Sequence, residues 1–286
     1  MNIILRPPTA ADVEPCGQIL YGAFLGIARE HGFEPDFASV EMTKGLVNSL
    51  IRSPGTFGVV AEADDGRIVG SNFLHEENAV GGVGPISVDP TLQGAGIGRM
   101  LMQAVLDRAA GAPGVRLLQD AFNMRSMSLY ASLGFDIREP LAVIQGRPKS
   151  VPVPGARPMT PADVPACRQL CLKVHGVDRS HELEHPSPYS RLWVVERGGR
   201  ITAYATALHL WVMNHSVAET LEDMQALLLG YAASTTEPLG FILPTRQAAL
   251  FRWCLSEGLR LVKPMSLMTK GFYQEPAGCW LPSVLY

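Results

Sequence analysis

The stretch from Gly84 to Arg99 constrains this chain more than any other. Ile86-Ser87-Val88 is a short apolar strand that Asp89-Pro90 stops, and Gln93-Gly94-Ala95-Gly96-Ile97-Gly98-Arg99 follows. A helical apolar pattern then begins at once, through Leu101, Met102, Val105, Leu106 and Ala109. Glycines at alternate positions leave backbone N–H groups facing inward with no Cβ over them. The helix behind them adds unpaired N–H donors and the positive end of its dipole. This arrangement predicts an anion site, best suited to a pyrophosphate. The glycines fall as G-x-G-x-G, one residue short of the dinucleotide fingerprint, and no Lys-Ser or Lys-Thr follows to make a P-loop.

What does fit is Q-x-x-G-x-G at Gln93, Gly96 and Gly98, directly after the strand end at Val88 and Pro90. Downstream lies Asn123-Met124-Arg125-Ser126-Met127-Ser128-Leu129-Tyr130-Ala131-Ser132-Leu133-Gly134-Phe135. Asn123 is a good N-cap, Leu129 and Leu133 share one helical face, and Gly134 ends the helix. The two motifs in this order resemble the GNAT superfamily of acyl-coenzyme A-dependent N-acyltransferases. The second matches N-x-x-A-x-x-L-Y-x-x-L-G-F, with Ser126 in place of the usual alanine.

The resemblance implies acetyl-coenzyme A as cosubstrate and no metal. Gln93, Gly94, Ala95, Gly96, Ile97, Gly98 and Arg99 would hold its pyrophosphate, with Asn123 in the same cofactor site. Ile86, Ser87 and Val88 would pair with the pantetheine arm and polarise the thioester carbonyl. Tyr130 would be the catalytic acid that protonates the departing thiolate. The acceptor would be a primary amine on a small molecule or peptide. Many relatives carry a glutamate on the strand before the turn, but Val83 to Val88 holds no acid. The proton acceptor stays open among His75, Glu76, Glu77 and Asp120. A non-catalytic acyl-coenzyme A sensor on the same fold is the reading from another class; the intact Tyr130 and Asn123 favour an enzyme.

The chain of 286 residues is long enough for two domains. A formal net charge of −3 gives no general attraction to nucleic acid or to an anionic membrane. No apolar run reaches membrane-spanning length, and Met1 to Pro7 lacks the marks of a signal peptide. Cys16, Cys167, Cys171, Cys254 and Cys279, odd in number and without metal spacing, predict free thiols in a reducing cytoplasm.

Read in order, the first half predicts a strand at Ile3 to Arg6, then a helix with the stripe Val13, Cys16, Leu20, Phe24 and Ile27. A second helix is expected from Phe37 to Ile51, and a hairpin from Gly58–Glu62 and Arg67–Leu74 around Asp64-Asp65-Gly66. A strand at Val115 to Leu118, the helix of Tyr130 and a strand at Leu141 to Ile144 complete one α+β domain over 1–146. Residues 147–156 are a Pro-rich linker by composition. Arg157-Pro158-Met159-Thr160-Pro161-Ala162-Asp163-Val164 then mirrors Arg6-Pro7-Pro8-Thr9-Ala10-Ala11-Asp12-Val13. Residues 157–286 thus predict a second, degenerate copy of the domain. The fold expected is two GNAT-like domains in tandem, each a mixed, mostly antiparallel sheet flanked by helices. The second copy lacks Q-x-x-G-x-G and has Gln247 and Cys254 where the first has Asn123 and Tyr130.

Two further stretches need a reading. His181-Glu182-Leu183-Glu184-His185 matches H-E-x-x-H, but Pro186 and Pro188 end any helix there, so a solvated loop is expected in place of a metal site. The C-terminal run Gly278 to Tyr286 is apolar to its last residue and should dock on protein. It would fill the second domain's core or a homodimer contact, or else bring the Tyr286 carboxylate beside the acceptor.

Overall fold

The computed structural model describes residues 2–284. The chain folds into two compact units, Met1–Arg116 with Phe122–Phe135 and Leu117–Ala121 with Asp136–Tyr286.

In chain order the first unit holds β1 (Ile3–Arg6), α1 (Val13–Glu30), α2 (Val40–Arg52), β2 (Thr56–Ala63), β3 (Ile68–His75), β4 (Gly81–Val83), β5 (Ser87–Val88), α3 (Ile97–Arg108), the start of β6 (Gly114–Asp120) and α4 (Met124–Ser132). Its strands run β1-β2-β3-β4-β6, antiparallel until β4 meets β6 in parallel at Gly81↔Val115 and Gly82↔Arg116. The stripe on α1 does pack: Cys16 and Leu20 meet Val47 and Leu50 of α2 over Val60, Ile68 and Phe73. Helix α2 starts at Val40 and not at Phe37, because Ser39 caps it by accepting from the Met42 amide. Phe37 stays outside the helix, edge-on to Phe24 at 5.3 Å.

The strand expected at Ile86 to Val88 is interrupted. β3 pairs with β4 as His75↔Gly82 and Leu74↔Val83, but with β5 as Ser71↔Ser87 and Gly70↔Val88. The register slips by one residue in between, so 84–86 form a bulge with Ile86 inside it. Beyond it, β5 pairs with β3 alone among the described residues, leaving its other edge without a strand.

The second unit continues with β7 (Asp136–Gly146), β8 (Ala156–Pro158), α5 (Val164–His175), α6 (His181–Glu184), β9 (Trp193–Arg197), β10 (Arg200–Ala205), β11 (Ser216–Ala218), α7 (Leu221–Ala233), β12 (Leu239–Pro244), α8 (Ala248–Ser256), β13 (Arg260–Gly271) and β14 (Cys279–Leu281). From β8 to β13 the elements repeat the order of the first half. The repeat extends to side chains. Arg6 reaches both oxygens of Asp12, at 2.8 and 2.9 Å, and also Glu62; Arg157 reaches Asp163 at 2.8 Å twice, and also Glu196. Thr9 and Thr160 close the same capping box on those two aspartates.

These clusters tie stability to pH. Arg6 and the Thr9 donors hold the Asp12 carboxyl down to about 2 from its ordinary 3.8. A depressed carboxyl contributes its stability above the unfolded value, and that contribution fades as pH falls through about 2. Asp12→Asn should therefore lower the unfolding free energy by about 2 kcal/mol at neutral pH. Urea melts taken towards pH 2 should show the gap from wild type narrowing.

Four sequence expectations meet the structure here. The strand that closes the 1–146 domain, β7, groups with the second unit, because its main chain bonds to β12 on one side and β13 on the other. The 147–156 linker is pinned: Glu257 accepts from the Lys149 and Ser150 amides, and Arg147 donates to the Ala232, Thr235 and Glu237 carbonyls. In the C-terminal run, β14 pairs with β11, and Trp280 and Leu281 are buried in the second unit's cores. Leu285 and Tyr286 lie outside the described residues, and with them the proposed role of the terminal carboxylate. The H-E-x-x-H stretch forms only the four-residue α6, with the His181 and His185 rings stacked at 4.7 Å. Among the described residues no three His, Cys, Asp or Glu gather to hold a metal, and no helix is long and apolar enough to cross a membrane.

Candidate active site

The glycine-rich turn ends β5 and opens α3. Gly94 and Gly96 sit at φ +91° and +87°, the left-handed region, and a Cβ at either would meet nothing within 4 Å. The conformation therefore favours glycine, while the space beside it is open. Two left-handed residues on either side of Ala95 turn the backbone so that its amides converge. The Ala95 and Arg99 amides are engaged within the turn, on the Leu92 and Gly96 carbonyls at 3.3 and 3.0 Å. Those of Gly94, Gly96, Ile97 and Gly98 find no acceptor among the described residues. Four open N–H groups at the N-terminus of a twelve-residue helix form an anion cradle. Ile97 offers only its amide, because its side chain is buried in the core.

Helix α4 lies along this turn. A Cβ at Gly98 would stand 3.4 Å from the Leu129 side chain, and Arg99 donates to Ser132 Oγ at 2.7 Å. Gln93 bridges strand and helix: its Nε2 reaches the Val88 carbonyl at 3.5 Å and its Oε1 accepts from Arg125 at 2.5 Å. Gln93, Gly98 and Arg99 thus meet one face of α4, through residues 125, 129 and 132. Arg99 and Arg125 each stand in a first helical turn, where a cation opposes the helix dipole by about 0.3–1 kcal/mol. A bound polyanion would reverse that penalty. Sequence reasoning named Arg99 and missed Arg125; the misplaced charge just after the Asn123 cap was the available signal.

Asn123 caps α4, accepting from the Ser126 amide at 3.1 Å, as its sequence position predicts. Tyr130 follows Leu129 on the same helix, buried to 5% exposure, its ring 6.1 Å from that of Phe135. Ser87 turns its hydroxyl inward to Ser71 at 3.5 Å, and its main chain faces Ser71 across the β3–β5 pair. The predicted cofactor residues are therefore gathered on β5, the turn and the start of α3, with Asn123 and Tyr130 on the helix packed against them.

The open candidates for proton acceptor separate. Glu76 is bidentate with Arg108 at 2.9 and 3.0 Å. Arg108 closes α3 at the far end from the cradle, roughly 17 Å along a helix of this length. A hollow of about 360 Å³, lined by Leu74, Glu76, Gly81 and Arg108 among others, lies at that far end and is not the cradle. Glu77 is exposed and takes the Ser53 hydroxyl at 3.4 Å. Asp120 belongs to the second unit, where Lys263 stands 2.6 Å from it. His75 is half-buried, with Nε2 3.1 Å from the Gly84 carbonyl, and burial pushes its pKa down.

The matching helix start in the second unit is closed. Thr220 caps α7, accepting from the Asp223 amide at 3.1 Å, and Asp223 itself fills the first turn beside Glu222. Two carboxylates and a satisfied cap disfavour a phosphate there.

Coenzyme A fits the first-unit residues on two structural grounds: a row of open amides, and two cations placed against helix dipoles. Comparison with known proteins agrees. The sequence model of the Acetyltransferase (GNAT) family matches residues 18–135. A mycothiol acetyltransferase from Thermobifida fusca is 37% identical over 97 residues, 30% of this chain and 30% of that protein. One from Kocuria rhizophila is 39% identical over 85 residues, 27% of this chain and 28% of that protein. The chain thus spans less than a third of the length of these relatives. Two crystal structures share the fold over nearly the whole chain. A candidate acetyltransferase from Pyrococcus horikoshii has a TM-score of 0.75 at 19% identity, covering 97% of this chain and 94% of that one. A GCN5-related N-acetyltransferase from Sphaerobacter thermophilus has a TM-score of 0.63 at 18% identity, covering 96% of each. The fold is α+β with two GNAT-like halves, and residues 18–135 match the Acetyltransferase (GNAT) family.

Proposed function

We propose that this chain is an N-acetyltransferase that moves the acetyl group of acetyl-coenzyme A to a primary amine, with its working site in the first unit. The observation that carries this is the cradle of open amides at Gly94, Gly96, Ile97 and Gly98, beside a strand with one unpaired edge. The bound cosubstrate supplies an acetyl group activated as a thioester. The chain's own part is to hold and polarise. Arg99 and Arg125 add charge to the cradle, and the free edge of β5 offers Ile86 and Val88 main-chain groups to an amide-bearing arm. The Ile86 and Val88 amides polarise a carbonyl laid along them. Tyr130 holds the proton for the departing sulfur, and orientation of the two reactants supplies much of the rate.

The matched relatives are named mycothiol acetyltransferases, and the shared segment is too short to transfer an acceptor from them. Coenzyme A release from acetyl-coenzyme A is the test, followed chromatographically with a polyamine, an aminoglycoside, free amino acids, a peptide N-terminus and a mycothiol-type amine. Release that depends on one of these acceptors is expected. Binding of the cosubstrate with no release across the whole panel would instead favour the sensor reading.

A further inference from the structure

Resting on that reading of the site, we propose that His75 is the base that takes the proton from the incoming amine. The strand leading into the turn holds no acid, so the proton must go to a neighbouring element. Glu76, Glu77 and Asp120 are each engaged elsewhere, by Arg108, Ser53 and Lys263. His75 stands directly opposite Gly82 across the β3–β4 pair. Directly paired antiparallel residues project from the same face with Cβ atoms about 5 Å apart. Gly82 has no side chain, so on that face β4 places nothing between the imidazole and Arg116, the partner of Gly82 on β6.

The hydrogen bond fixes what the ring can do. A carbonyl oxygen only accepts, so Nε2 must carry the hydrogen that points to Gly84 O at 3.1 Å. Nδ1 is then the lone pair, with no hydrogen-bond partner among the described residues. Gly84 opens the bulge that leads to Ile86 and β5, so this bond also ties the ring to the backbone proposed to polarise the carbonyl. The face matters too. His75 shares its side of β3 with Phe73, which packs under α1 and α2, whereas Asn72 points the other way to the Leu101 carbonyl of α3. Helix α4, with Tyr130, packs on the first turn of α3. Base and acid therefore stand on opposite faces of the sheet, one for the incoming amine and one for the departing sulfur.

The groups around the ring set its charge. Its in-sheet neighbours, Thr56 and Gly82, are uncharged. Glu77 favours the charged ring, and burial outweighs it, keeping the imidazole neutral at pH 7. The protons balance. An ammonium gives one proton to Nδ1, which passes it to solvent. The freed lone pair forms the N–C bond as the C–S bond breaks, and the second amine proton ends on the sulfur through Tyr130.

The test pairs a spectroscopic and a kinetic readout on the full chain. In long-range proton–nitrogen spectra, the ring resonances missing from His75→Gln should report a neutral Nε2–H tautomer titrating below 6.5, with the Nδ1 signal shifting on addition of acetyl-coenzyme A. His75→Gln keeps an N–H donor for Gly84 but has no base. It should lose about 100-fold in kcat, bind coenzyme A as wild type does in calorimetry, and lack the acid limb of the kcat/KM profile. An Nδ1–H tautomer, or a variant that keeps both rate and acid limb, would overturn the proposal. Failure of wild type to bind coenzyme A would instead remove the site reading on which it rests.

Discussion

Gly96→Asp should abolish coenzyme A binding while leaving the protein folded. A Cβ at this position meets nothing within 4 Å, and aspartate is among the residues that tolerate a left-handed backbone and cap helices well. Melting should therefore shift by only a few degrees. The effect on binding is electrostatic. A carboxylate about 4 Å from a phosphate at a partly screened site is worth roughly 4 kcal/mol of repulsion, or about a thousandfold in affinity. Gly96→Ala separates the two contributions: it carries the left-handed strain of about 1–2 kcal/mol without the charge. It should weaken binding tenfold or so. Equal losses in the two variants would mean that backbone shape, and not an anion, is what the turn recognises.

Tyr130→Phe should reduce turnover by about 100-fold and leave cosubstrate affinity nearly unchanged. Phenylalanine keeps the ring that packs near Phe135 and removes only the hydroxyl. If the hydroxyl only supported packing, the loss would be a buried hydrogen bond, about 1 kcal/mol of stability, with kcat intact. Rapid-quench kinetics settle which applies. A single-turnover rate equal to wild type, with chemistry limiting, would place the proton source elsewhere.

Much of this was legible in the sequence because its local signals are physical ones. Alternating glycines after a strand stop can only be a turn, and Gly94 and Gly96 take the backbone that only glycine takes easily. The duplicated Arg–Thr–Asp start predicted two like units, and Arg6 and Arg157 make the same set of bonds. What stayed hidden depends on register and on tertiary pairing. The one-residue slip between Val83 and Ser87 is invisible until β3 lies beside both halves. Strand β7 carries no mark of the partners it will bond, so a boundary drawn at the Pro-rich linker counts it with the first domain. The separation of His75 from Glu76 and Glu77 likewise needed the positions of Arg108 and Ser53, distant in the chain. Asp223 shows the reverse case. It was present in the sequence, and only its place in the first turn of α7 reveals that it closes the second copy's helix start.

The central claim is that one open helix start, in the first unit, binds coenzyme A, and titration calorimetry of the intact chain tests it most directly. One coenzyme A per chain is expected, lost in Gly96→Asp and retained when Asp223 is changed to Asn. Two comparable sites per chain, or binding that survives Gly96→Asp, would contradict the account.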